Sequence, residues 1–192
     1  MTRQMVFSRP RFFSGQLFTA DDLAAEQAYH RAIQRFRNLH THGYGIVSGL
    51  SVQTGDNGTS VTIRPGYAID GFGREICVSA ALKLSLPNNV NRLAVCVGYA
   101  ETETEPITSV GNPMGVANPV EHSRIEEGFE IVFRQIQPGK PSQAQIIVHS
   151  QGTSNRWVLL AILRRNGKSW RADSLGTKSS ARKSKRKRVG RK

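Results

Sequence analysis

Long apolar runs are missing from this 192-residue chain. No stretch of 18 uncharged apolar residues occurs, which excludes a membrane-spanning helix. The opening MTRQMVFSRPRFF lacks the apolar centre and small-residue cleavage site of a signal peptide, so a cytoplasmic site of synthesis is expected. Cysteine is scarce as well. Cys77 and Cys96 each sit inside an apolar strand pattern, where a free thiol acts as a small hydrophobe, and no disulfide is expected. Acid is outnumbered, with 14 Asp and Glu against 27 Lys and Arg and a net charge of +13. The excess is local: nine basic residues and no acid lie between Lys178 and Lys192, so the rest of the chain carries only +4.

Residue groups that carry chemistry are equally sparse. His40 and His42 form the only tight histidine pair, but at i, i+2 on a helix end they point apart. No neighbouring Cys or paired acid completes a tetrahedral set, so a helix cap and one partly buried His are expected, with no metal site. The Gly-x-Gly steps at residues 43–45 and 71–73 neither follow a strand nor open a helix, which removes the nucleotide-binding reading. Gly45-Ile46-Val47-Ser48-Gly49 precedes a strand, where a nucleophile elbow would follow one. Asp70, Arg74 and Glu75 bracket a turn, where a surface ion pair is the ordinary outcome. No catalytic or cofactor-binding residue is assigned, and a non-enzymatic protein is expected.

What the chain does have is one long helical stretch with marked ends. Thr19 is a good N-cap, with Asp21 and Asp22 in the first turn where exposed N–H groups favour negative charge. Ala25, Ala28, Tyr29, Ala32, Ile33, Phe36, Leu39 and His40 then share one side of a wheel drawn at about 100° per residue. Gly43 ends the helix. Ahead of it, residues 1–18 read as an extended arm held out of helix by Pro10 and rich in Phe7, Phe12, Phe13, Leu17 and Phe18. Behind it, short alternating segments separated by turn residues predict strands over 45–54, 60–64, 67–70, 74–78, 81–86, 92–100, 129–135, 144–149, 157–164 and 168–172. Asp56-Asn57-Gly58 is a hairpin turn signal, and residues 92–100 are apolar enough for a central strand covered on both faces. Residues 101–124, rich in Glu, Pro and Gly, predict a long irregular loop. The expected fold is mainly β with one long N-terminal helix (α+β): an antiparallel β-sandwich or partly open barrel over residues 19–175, followed by a disordered basic tail over 176–192.

The most specific pattern combines several of these pieces. Phe12-Phe13-Ser14-Gly15-Gln16-Leu17-Phe18-Thr19, Asp22, Glu26-Gln27-x-Tyr29-His30, and His42-Gly43-x-Gly45-Ile46-Val47-x-Gly49-Leu50-x-Val52 are followed by Pro65-Gly66-x-Ala68-Ile69-Asp70-x-x-Gly73-Arg74-Glu75-Ile76. This stretch, about residues 9–80, resembles an N-terminal module of uncharacterised proteins associated with contractile phage tails and phage-tail-like injection systems. The resemblance implies a structural subunit of a large multi-copy assembly (baseplate, cap or attachment region of a virion or tail-like particle) and brings no catalytic residues with it. Phe12, Phe13, Leu17 and Phe18 are the candidate partner contacts. The tail, through Lys183, Lys185, Arg186, Lys187 and Arg188, has three readings: contact with nucleic-acid phosphates, an anionic membrane surface, or an acidic partner.

Overall fold

A computed structural model of the chain describes residues 6–55, 58–88, 90–108, 120–136, 156–167 and 169–173. The described residues form one helix and ten strands: α1 (Ala20–Thr41), β1 (Gly45–Gly49), β2 (Val52–Thr54), β3 (Ser60–Ile63), β4 (Gly66–Ile69), β5 (Glu75–Val78), β6 (Leu82–Ser85), β7 (Arg92–Thr108), β8 (Val120–Gln135), β9 (Trp157–Asn166) and β10 (Ser169–Asp173). The strands make three antiparallel sheets, ordered β1-β4-β5, β2-β3-β6 and β10-β9-β7-β8, and no barrel closes among them. The mainly β architecture with one long N-terminal helix is as the sequence predicts.

One apolar core joins the three sheets. Val61 and Ile63 of β3, Ala68 of β4, Ile76 and Val78 of β5, Leu93, Val95 and Val97 of β7, and Val158, Leu160 and Leu163 of β9 are all buried in it. A smaller cluster, with Ala94, Cys96, Ile136 and Ile162, covers the reverse face of β7 and β9. Leu93 to Tyr99 are consequently buried without alternation, as expected for a strand paired on both sides and packed on both faces. Burial pushes the Cys96 thiol up to about 12, so it stays protonated and apolar. Cys77 departs from the expectation. Strand alternation turns Ile76 and Val78 inward and leaves Cys77 as an exposed free thiol.

The expected loop over 101–124 is corrected in two places. Residues 101–108 continue β7 and residues 120–124 begin β8, paired from Glu101↔Glu127 out to Thr108↔Val120. The Glu and Pro content that suggested a loop belongs to an exposed two-stranded ribbon, whose side chains face water on both sides and need not be apolar. The middle of that loop (109–119), the strand expected over 144–149, Asp56 and Asn57 of the hairpin turn, and the basic tail lie outside the described residues.

The module residues meet at two crowded places. Gly49 and Gly66 stand where the chain leaving β1 crosses the chain entering β4: a Cβ on Gly49 would lie 2.1 Å from the Pro65 carbonyl oxygen, and one on Gly66 would lie 2.4 Å from the Leu50 amide nitrogen. The second place is the β4–β5 turn, built round Asp70, which is fully buried. Its Oδ1 accepts from the Phe72 and Arg74 amides, both at 2.9 Å, and its Oδ2 accepts from Arg74 Nε at 2.6 Å. The Arg74 guanidinium lies over the rings of Phe72 and Tyr99, at 5.1 and 4.8 Å. The surface ion pair expected at this turn is therefore a buried one. Sequence spacing reveals the pair but not that β7 and β8 wall it in. Asp70→Ala strips the turn of three acceptor contacts and leaves an arginine with no counter-charge, so we expect a loss of about 3–5 kcal/mol in urea unfolding.

Candidate functional site

The helix is well formed and unusually placed. Thr19 Oγ1 accepts from the Asp22 amide at 3.2 Å, and Asp22 Oδ2 accepts from the Thr19 amide at 3.0 Å, which makes a reciprocal capping box. At the other end the Gly43 amide donates to the Leu39 carbonyl at 3.1 Å with Gly43 at φ +75°. His42 is the C-cap residue, and His40 directs Nδ1 to the Phe36 carbonyl at 2.8 Å while stacking on the Phe36 ring. Both roles are structural, and no group of three or more possible metal-ligating side chains occurs among the described residues.

Along 22 residues, not one side chain of α1 is buried. The side turned to the β body is polar. Gln34 donates to Glu75 Oε1 at 2.9 Å, and Asn38 donates to the same oxygen at 3.0 Å and to the Gly73 carbonyl at 2.9 Å. Arg31, Gln34, Arg35 and Asn38, spaced i, i+3, i+4, i+7, wall a small cavity of about 50 Å³ with Arg74, Glu75, Tyr99 and Glu127. The apolar side, with Ala25, Ala28, Tyr29, Ala32, Ile33 and Phe36, therefore faces away from the core, since these positions lie across the wheel from Gln34 and Asn38. The N-terminal arm reaches this side. Phe7 packs edge-on against Phe36 at 5.4 Å, and the chain then returns to the start of the helix at Thr19.

This outward surface contains the sequence-predicted contact residues. Phe12 and Phe18 touch each other at 4.9 Å between ring centres but remain exposed, Phe13 is 66% exposed and Leu17 85%. Leu23 is exposed on α1 away from this apolar face, and Tyr44, with Ile46 and Val47 of β1, is exposed as well. The four arm residues are the ones selected from the sequence, and Ile46 and Val47 are exposed apolar side chains outside that selection. The signal was present in β1, where adjacent Ile46 and Val47 break the in–out alternation that a half-buried strand would show. On the other side of α1, Gln27, Arg31 and Arg35 face Glu101, Glu127 and Arg124 of the ribbon across an open cleft of about 780 Å³. Tyr99 donates to Glu101 at 2.8 Å, and its phenol is held well above the usual range, first by burial and then by hydrogen bonds to Glu101 and Glu127. The proposed polyanion contacts Lys183, Lys185, Arg186, Lys187 and Arg188 lie outside the described residues.

No protein-family model matches the chain, and no curated protein matches it. Among solved structures it is similar to a chain of the TssK–TssF–TssG baseplate subcomplex of the type VI secretion system, with 10% identity over 88% of this chain and 60% of the other, TM-score 0.49. A chain of the type VI secretion baseplate complex follows at 12% identity over 88% and 58%, TM-score 0.44. Crystalline TssK follows at 10% over 88% and 41%, TM-score 0.48. The structural neighbours are type VI secretion baseplate proteins. This chain spans at most 60% of their lengths.

Two measurements test how α1 is held. A Cβ on Gly73 would stand 2.3 Å from the Arg35 carbonyl oxygen, so Gly73→Ala must push the helix off the β4–β5 turn. Amide exchange in α1 is expected to accelerate while β7 keeps its protection. The pH dependence follows from Glu75. The Gln34 hydrogen bond holds its carboxyl below the usual 4.5, helped by Asn38 and Tyr67 and opposed by burial. Its contribution is complete above pH 4.5 and is lost as pH falls through the depressed folded value. Exchange in α1 should accelerate over that acid interval, and Glu75→Gln should abolish the acid-dependent part.

Proposed function

We propose that this protein is a non-enzymatic structural subunit of a phage tail or phage-tail-like contractile particle, seated at the baseplate, cap or attachment region. One observation carries the reading: the Phe-rich arm leaves Phe12, Phe13, Leu17 and Phe18 exposed, beside a helix whose apolar face lies across from its polar docking side. A helix in a finished monomer turns that face inward, and an exposed apolar patch of this size marks a protein–protein contact. The module over residues 9–80 supports the same reading, because its motif residues form the capping box, the β1/β4 crossing and the Asp70 turn that present this surface. The described residues of the module are engaged in caps, turns and docking contacts, which suits a scaffold better than a reaction centre.

Phe12, Phe13, Leu17 and Phe18 are the partner contacts in this proposal. The combined variant Phe12→Ala/Phe18→Ala is expected to fold normally, since both rings are exposed, yet to be depleted roughly tenfold or more from purified particles, as loss of central aromatic anchors predicts. Unchanged incorporation, read by quantitative blotting of particles, would overturn the assignment.

The charge distribution favours a second activity. The segment from Lys178 to Lys192 would contact a polyanion through Lys183, Lys185, Arg186, Lys187 and Arg188. Deleting it should flatten the salt dependence of nucleic-acid binding; an unaltered slope would remove this reading.

A further inference from the structure

The outward face of α1 is self-complementary, and we infer that it pairs with α1 of a second copy of this chain in antiparallel orientation. The inference rests on the reading that this surface is a protein contact, but it does not depend on which particle holds the protein. Charge along the helix changes sign at its middle. Asp21, Asp22 and Glu26 lie in the first half, and Arg31, Arg35 and Arg37 in the second. Glu26 and Arg37 stand beyond the first turn and within the second half, so dipole compensation at the helix ends does not account for both. On a wheel at about 100° per residue they fall on one flank of the apolar face. In an antiparallel pair that flank meets its own copy, which sets Glu26 of each chain, whose Oε1 lies 2.9 Å from His30 Nε2 of its own helix, near Arg37 of the other. A parallel pair would set acid on acid and base on base.

Side-chain size has the same symmetry. With the two-fold axis between His30 and Arg31, Ala28 comes opposite Ile33 and Tyr29 opposite Ala32, so each larger side chain meets a small one, while Ala25 comes opposite the Phe7–Phe36 pair. This alternation lets two helices approach without overlap. A 22-residue helix is about 33 Å long, too narrow alone to bury the roughly 800 Å² that each partner gives to a stable contact. Phe13, Leu17 and Phe18 supply further apolar area, because the arm returns along the helix from Phe36 to Thr19.

Charge exchange tests the pairing in the purified full-length chain. Sedimentation equilibrium is expected to show a reversible dimer. Glu26→Arg and Arg37→Glu should each weaken it about tenfold, because every dimer contains the altered contact twice. The double variant Glu26→Arg/Arg37→Glu should restore the dimer, and an equimolar mixture of the two single variants should dimerise better than either alone. Circular dichroism of each variant confirms that the helix is intact. A chain that stays monomeric throughout, or a dimer indifferent to these exchanges, would overturn the inference. Either result leaves particle incorporation unaffected as a separate measure of the assembly reading. Failure of incorporation with an intact dimer would instead remove that reading and keep the pair.

Discussion

The Asp70 carboxylate is the constraint on which the arrangement of the helix depends. Buried completely, it can remain only because two backbone amides and one guanidinium satisfy it. Meeting those three donors forces the chain to fold back tightly between β4 and β5. That turn sets Gly73 against the Arg35 carbonyl and presents Glu75 to Gln34 and Asn38. A single polar group inside the body thus determines where an exposed helix lies outside it. The Arg74 side chain completes the link, since it spans from Asp70 to the Tyr99 ring on β7 and ties the turn to the central sheet.

Helix attachment through polar contacts has an energetic meaning. Burial of an apolar face gives a helix most of its tertiary stability, at about 25 cal/mol per Å². Here Gln34, Asn38 and Glu75 substitute a few directional hydrogen bonds, each worth about 1 kcal/mol net. The large side chains of the apolar face, Tyr29, Ile33 and Phe36, stay half-buried. Rigidity comes from geometry: the absence of a side chain at Gly73 lets the helix backbone approach the turn directly.

Much of this was legible beforehand because it was local. Thr19, Asp22 and Gly43 mark helix ends through contacts within four residues, and alternating segments announced most of the strands. Residues 92–100 were readable as a central strand because burial on both faces leaves a continuous apolar run. What escaped depends on neighbours distant in the chain. An amphipathic wheel shows which side of α1 is apolar, but only the β4–β5 turn, some 35–41 residues away, decides that the polar side docks. The ribbon at residues 101–108 was hidden for a related reason. Its Glu-rich strands satisfy each other's backbone groups without a core, so neither hydrophobic alternation nor continuity marks them.

Two of the edge strands, β1 and β8, differ in how they meet water. Along β8, Glu121, Arg124, Glu126, Glu127 and Glu130 bring charge to a strand whose outer edge pairs with no described strand, which discourages a further strand from adding there. β1, Gly45-Ile46-Val47-Ser48-Gly49, carries no charge and, among the described strands, pairs with β4 alone. No described strand pairs with its outer edge, beside exposed Ile46 and Val47. Among the described residues the protein therefore has an uncharged, apolar margin at β1 and a charged one at β8.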